Sequence, residues 1–373
     1  MIFYAYFGYP LCLVLISLFK KPARLPKNKD YKLPAVSFII TAYNEEERIK
    51  EKIESTLTQD YPEEKLEIIV ASDCSSDNTD EIVKAYESQG VKLVRAPERK
   101  GKENAQKYAV EASVGEILVF SDVATILKPD GILNIVRNFA DPSIGCVSSE
   151  DKFIETDGSV SGEGAYVKYE MFLRKLESRV NTLVGLSGSF FAARREVCEN
   201  WAIDLQSDFN TLLNSIKHGL RGISDPKSIG YYKNISDEKK EFNRKTRTVL
   251  RGISVFMRNL SLLNPFKYRM FAWQLFSHKL CRWLAPFFLI AAFIANAMII
   301  FVSIYFFLIF FLQVIFYALA FFYYQKQLVL SADRLSPIFK LPFFFVTVNF
   351  SILCAWWKYI IGRRATFWEP SKR

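Results

Sequence analysis

Between Val36 and Ser121 the chain alternates short apolar runs with amphipathic stretches. Val36–Thr41, Leu66–Ser72, Val91–Arg95 and Ile117–Ser121 are short runs rich in aliphatic residues, the pattern of strands buried on both faces. Between them Glu45–Thr58, Thr79–Ser88 and Lys102–Ser113 carry helical patterns. This alternation predicts βαβ units and a mostly parallel sheet, hence an α/β fold. Further along, Tyr166–Arg179, Phe209–His218 and Glu238–Arg258 read as helices, the last one basic and amphipathic.

A different pattern begins at Leu284. From there to Tyr324 no Asp, Glu, Lys or Arg occurs in 41 residues, room for two spans of about 20 residues each. Leu341–Ile361, interrupted by Lys358, offers a third span, and Ile2–Phe19, closed by Lys20-Lys21, a fourth. In the fourth the basic residues follow the apolar stretch and no small-residue cleavage site appears, so it reads as a retained anchor. The expected organisation is an N-terminal transmembrane anchor over 1–20 and a soluble domain over 34–264. An interfacial amphipathic segment over 265–283, a transmembrane region over 284–361 and a basic tail over 362–373 follow.

Charge sharpens this division. The 373 residues carry a formal +10, which invites a nucleic-acid reading only if the charge is clustered on a binding face. Residues 1–35 carry +5, 265–283 carry +4 and 284–373 carry +6, leaving −5 on 36–264. The basic residues therefore sit beside the apolar segments, the middle domain has no electrostatic footprint for nucleic acid, and the Lys/Arg bias places that domain on the cytoplasmic side of a plasma (inner) membrane. Three spans after it would leave Arg363 and Arg364 on the far side, unless 341–361 is re-entrant or interfacial.

Six dispersed cysteines without a CxxC pair suggest free thiols rather than zinc or a disulfide framework. With only His218 and His278, chemistry must rest on carboxylates, Arg/Lys or an oxygen-bound metal. Parallel sheets bind ligands beyond the carboxyl ends of their strands. Those ends read Thr41-Ala-Tyr-Asn-Glu45, Ser72-Asp-Cys-Ser-Ser-Asp77 and Ser121-Asp122, and neither GxGxxG nor GxxxxGK[ST] occurs.

Together with Arg99-Lys-Gly-Lys102, Gly188-Ser-Phe-Phe-Ala192, Ser207-Asp208-Phe209 and Arg244-Lys-Thr-Arg247, this ordered series resembles the membrane-bound inverting family-2 glycosyltransferases with a GT-A (Rossmann-like) fold. The resemblance implies a nucleotide-sugar donor, usually a UDP-sugar, a divalent cation (Mg²⁺ or Mn²⁺), and an acceptor hydroxyl attacking the anomeric carbon. By the same resemblance Ala42, Tyr43, Glu45 and Asp73 bind the donor's uridine part, Lys102 touches the donor, and Asp122 supports the cation. Arg244 and Arg247 match the element whose Arg complements the leaving diphosphate, and Asp208 matches the catalytic base. The chain departs from the family at three places. Asp122-Val-Ala124 lacks the second carboxylate of Asp-x-Asp, Ser207 replaces the first acid before Asp208, and Arg244 and Thr248 stand for the Gln and Trp typical of chain-extending synthases.

Each residue also has a plainer reading. Asp73 fits an Asx turn, Lys102 a solvated charge, Asp122 a structural carboxylate and Asp208 a helix-terminal acid. Gly188 is either a loop glycine or a place where an acceptor approaches the backbone. The helix at Tyr166–Arg179 is either an ordinary exposed helix or a bilayer-resting guide for a lipid-linked acceptor. The function expected from the resemblance is inverting transfer of a sugar to a lipid-linked or polysaccharide acceptor at a membrane. The alternatives are a processive polysaccharide synthase and a catalytically inactive nucleotide-binding scaffold.

Overall fold

The computed structural model describes residues 1–20, 32–154, 165–233, 238–329 and 337–365. They divide into two compact units, one built mainly from residues 10–236 and 255–275, the other from 1–9, 237–254 and 276–364.

The first unit holds an eight-stranded mixed sheet. Its strands are β1 (Val36–Ala42), β2 (Leu66–Ser72), β3 (Val91–Arg95), β4 (Ile117–Asp122), β5 (Ile126–Leu127), β6 (Ile144–Ile154), β7 (Phe190–Arg194) and β8 (Arg221–Lys233). The order is β3-β2-β1-β4-β7-β6-β8-β5. The first four strands are parallel and fall within a residue of the apolar runs that predict them. All seven residues of β1 are buried, which is why that strand reads as a continuous apolar run.

Alternate residues divide between two cores. Phe38, Ile40, Ile117 and Val119 enter one, with Ile49, Ile53, Ile132 and Ile135 from helices on that side. Ile39, Leu118 and Phe120 enter the other, with Ala105, Ala109 and Leu212. In the second core Phe120 stacks between Phe191 and Trp201, with ring centroids 4.8 and 4.9 Å apart.

Successive strands run outward from β1 through β2 to β3, and the chain then returns to place β4 on the other side of β1. That reversal is the topological switch point, where the loops after two neighbouring strands diverge and leave a crevice. Antiparallel β7 pairs with β4, setting Ser121 opposite Phe190, and the Asp122 N–H donates to the Ser189 carbonyl (3.0 Å). The segment before β7 is thereby brought to the same crevice.

The helix Ala165–Val180 buries Leu173, Leu176 and Val180 while Tyr166 and Phe172 stay exposed, so it packs one face into the unit and turns the other outward, as an amphipathic surface helix does. The segment 265–283 was expected at the interface. Its part Pro265–Leu275 is helical with a break at Arg269 (φ 46°), and its Phe271, Gln274 and Leu275 are buried. The Gln274 side chain donates to the Thr182 carbonyl and accepts from Asn181, both at 3.0 Å, which ties one side of this segment to the unit while Phe266 stays exposed.

In the second unit, Phe293 stacks on Phe310 at 5.2 Å, Asn296 donates to Gln313 at 3.1 Å and the Trp356 indole donates to the Trp283 carbonyl at 3.0 Å. Among the described residues three helices are long and apolar enough to cross a membrane: Pro265–Met298, Ile304–Lys326 and Phe339–Ile360. The N-terminal apolar helix is shorter, Tyr4–Leu18. At 1.5 Å per residue it reaches about 22 Å, less than each of the three long helices.

Candidate active site

The crevice is built first from backbone. Two loops leave the carboxyl ends of β1 and β2 and are stitched together. Asn44, at positive φ (51°), accepts from the Ser76 N–H (2.8 Å), and the Glu45 N–H donates to Thr79 Oγ1 (2.8 Å). The Ala42 carbonyl accepts the Asp73 N–H at 3.0 Å. Asp73 is fully buried, and its carboxylate accepts the N–H of Lys100 (3.1 Å) and that of Gly101 (2.9 Å). Gly101 needs this anchoring because it sits at φ 103°, a region open to glycine. Burial raises the Asp73 carboxyl above its ordinary range, opposed by those two amides.

Glu45 is also buried, and its carboxylate is paired with Arg48 at 2.6 Å. Burial raises its pKa, with Arg48 pulling the other way. Tyr43 is half-buried with the Arg99 guanidinium 3.9 Å above its ring, a cation–π contact. Among the expected donor residues, Ala42, Glu45 and Asp73 thus build the rim, and their polar atoms already serve the loops.

Lys102 opens helix Lys102–Ala112 just after the pinned glycine. Its ammonium is ion-paired with Asp122 and donates to the Gly188 carbonyl at 2.8 Å. Three separate elements therefore meet at one cation. Lys102 is 7% exposed, so the pair lies where water screens it weakly.

Gly188 links this pair to Asp208. A Cβ on Gly188 would lie 2.9 Å from Asp208 Oδ2. The close approach at this glycine is thus made by the Asp208 carboxylate, where the sequence had suggested an acceptor. Asp208 lies in the first turn of helix Ser207–Lys217. Its carboxylate accepts the Phe209 N–H at 2.8 Å and the Gln206 amide at 3.1 Å.

Two functional neighbours were missed by sequence reasoning. Glu103, buried beside Lys102, approaches Ser207, whose N–H and hydroxyl lie 3.3 and 3.4 Å from Glu103 Oε1. A carboxylate from another helix thus stands beside the position where the family's acid is replaced by serine, and nothing local in the sequence announces it. Lys52 lies on the core face of helix Ile49–Leu57 with Ile49 and Ile53. Its ammonium donates to Ser121 Oγ (2.8 Å) and the Thr125 carbonyl (2.7 Å), propping the loop that contains Ala124. A lysine at an apolar position of an amphipathic helix was the available signal. Burial lowers its pKa from 10.5 to about 7, with Asp122 opposing.

The donor set around Asp122 does not fit a resident divalent ion. Among the described residues no group of three or more His, Cys, Asp or Glu converges as a metal site. Lys102 engages the Asp122 carboxylate, and Ala124 supplies no oxygen ligand from its side chain. Arg244 and Arg247 lie on helix Glu238–Arg258 in the other unit, where Arg244 forms a two-pronged bond to Glu241 at 2.7 Å.

The switch-point crevice, with its lysine–aspartate pair and an adjoining buried carboxylate, lies in a mixed sheet of the GT-A class. Residues 37–201 match the family model described as Glycosyl transferase family 2. That segment of the chain, which includes β1 to β4 and β7, is therefore similar to a family-2 glycosyltransferase domain. It is 26% identical over 189 residues to the poly-beta-1,6-N-acetyl-D-glucosamine synthase of Staphylococcus epidermidis, covering 48% of this chain and 45% of that protein. It is 31% identical over 178 residues to the synthase of the same name from Staphylococcus aureus strain COL, covering 46% and 42%. The chain thus spans under half the length of these curated relatives. A mannosyltransferase from Pyrobaculum calidifontis, solved with GDP-Man and Mn²⁺, shares the fold over 95% of this chain and 96% of its own, at TM-score 0.71 and 24% identity.

Two outcomes are expected. Gly188→Ala will displace the Asp208 carboxylate, lowering kcat about 100-fold with little change in thermal unfolding temperature; unchanged turnover would sever the two residues functionally. For Lys52, the unfolded chain keeps its proton up to about pH 10.5 whereas the folded protein loses it near pH 7. Unfolded chains then bind more protons within that window, so this group makes stability rise with pH across it. Thermal unfolding in detergent at several pH values should show that part of the slope vanish in Lys52→Met.

Proposed function

We propose that the chain transfers a sugar with inversion from a nucleoside diphosphate donor to a hydroxyl of a lipid-linked or polysaccharide acceptor. The observation carrying this reading is the convergence of Lys102, Asp122, Gly188 and Asp208 at the switch point between β1 and β4. A diphosphate is a compact dianion, and a fixed ammonium in a poorly hydrated crevice is a fitting partner for it. Tyr43 and Arg99 supply a planar surface on the base side, while Ala42, Glu45 and Asp73 act through the loops that they hold. A uridine base is the reading supported by the sequence resemblance.

In the reaction, Asp208 takes the proton of the acceptor hydroxyl as its oxygen attacks the anomeric carbon. The new glycosidic bond forms as the bond to the diphosphate oxygen breaks on the opposite face. The electron pair leaves with the nucleoside diphosphate, whose growing negative charge Lys102 stabilises. Arg244 and Arg247 are assigned to the same leaving group on motif position. A divalent cation belongs to this reading as a companion of the donor's diphosphate, supported by the Mn²⁺ that accompanies GDP-Man in the mannosyltransferase structure.

The three long apolar helices and the basic residues flanking them support an integral, multi-pass membrane protein whose catalytic domain faces the cytoplasm. Membrane lipids would then be immediate neighbours and a lipid-linked acceptor accessible. A polymer-forming activity is a second reading, favoured by the names of the Staphylococcus relatives, and product length distinguishes the two.

A screen of UDP- and GDP-sugars with the purified full chain in detergent tests the proposal. One donor should be turned over, and Asp208→Asn should bind it with transfer reduced about 100- to 10,000-fold. Wild-type turnover by that variant would remove Asp208 as the base.

A further inference from the structure

The loss of the second motif carboxylate at Ala124 has a counterpart elsewhere in the fold. Two fixed cations flank Asp122, with Glu45 as a neighbouring acid. On one side the Lys102 ammonium pairs with it and is fixed by the Gly188 carbonyl at 2.8 Å. Behind the loop, Lys52 is fixed by Ser121 Oγ at 2.8 Å and the Thr125 carbonyl at 2.7 Å. Ala124 itself lines a cavity of about 150 Å³ together with Arg48, Lys52 and Glu51. The methyl side chain at position 124 adds no oxygen ligand to this mixed lining. A hard divalent ion needs several oxygen ligands and tolerates neighbouring positive charge poorly.

Resting on the nucleotide-sugar reading above, we propose that Lys102, held by Asp122 and Gly188, is the resident cation of the diphosphate subsite. A divalent ion, where one takes part, enters with the donor and is not stored on the free protein. Lys102 supplies a permanent unit charge already desolvated and aimed by two acceptors, so little reorganisation is needed when an anionic diphosphate arrives. Asp122 then acts as the positioning partner of Lys102. Lys52 supports it indirectly by holding the loop from Ser121 to Thr125.

The test uses the full chain in detergent, with UDP and GDP as probes and Mn²⁺ followed by electron paramagnetic resonance. Binding of the preferred nucleotide after chelation should stay within about threefold of that with Mn²⁺. Lys102→Met should weaken it at least about tenfold and Lys102→Arg, which keeps the charge, should weaken it less. Free wild-type protein should leave Mn²⁺ in solution. Lys102→Met, which uncovers Asp122, should bind Mn²⁺ more than wild type. Tight Mn²⁺ binding by free wild-type protein, or a loss of about 100-fold in nucleotide affinity on chelation, overturns the proposal even if Lys102 variants misfold. Failure of both nucleotides to bind with or without Mn²⁺ overturns the nucleotide-sugar reading itself, and the proposal with it.

Discussion

The ion pair between Lys102 and Asp122, with the Gly188 carbonyl as a third partner, is the contact that the rest of the sheet-containing unit arranges. Its parts come from a helix start, a strand end and the approach to an antiparallel strand. None is near another in sequence. What brings them together is the order of strands, because β4 returns to pair with β1 and β7 pairs with β4. The buried Asp73 carboxylate then pins the Lys100-Gly101 turn that delivers Lys102. Removing a partner from a poorly hydrated pair leaves an uncompensated charge, which costs several kcal/mol, so the arrangement holds the crevice in shape as well as presenting a cation.

Charge is distributed for two separate tasks. The overall +10 belongs to the segments beside the apolar helices, while 36–264 carries −5. The proposed function asks a net negative domain to receive an anionic donor, which is possible only if a few cations are fixed where the anion binds. Local placement outweighs the sum because interactions in a desolvated crevice exceed those screened by water over a Debye length.

The first half of the fold was legible in the sequence because each strand there is buried on both faces and reads as an unbroken apolar run. β2 and β3 were expected with their observed limits, and β1 and β4 extend by one residue. The second half was less legible. β6 and β8 are long strands carrying polar residues, and their parallel pairing includes register shifts, so no periodicity singles them out. In the site, Lys102, Asp122 and Asp208 were visible as motif positions. The contact of Gly188 with Asp208, and the approach of Glu103 to Ser207, were not, because they depend on long-range packing between elements. At the N-terminus the apolar run forms a helix shorter than the three long ones, Tyr4–Leu18. The 265–283 segment has interfacial composition, yet Gln274 is claimed by hydrogen bonds in the domain.

The proposed function requires a diphosphate to lie against Lys102 at the switch point. Amide hydrogen exchange of the full chain, with and without a saturating nucleoside diphosphate, tests that location without requiring turnover or knowledge of the acceptor. Slowed exchange is expected in the 99–104 turn and in 186–190 before β7, with the strands of the sheet unchanged. Protection confined to other parts of the chain, with those two segments unaltered at saturation, would contradict it.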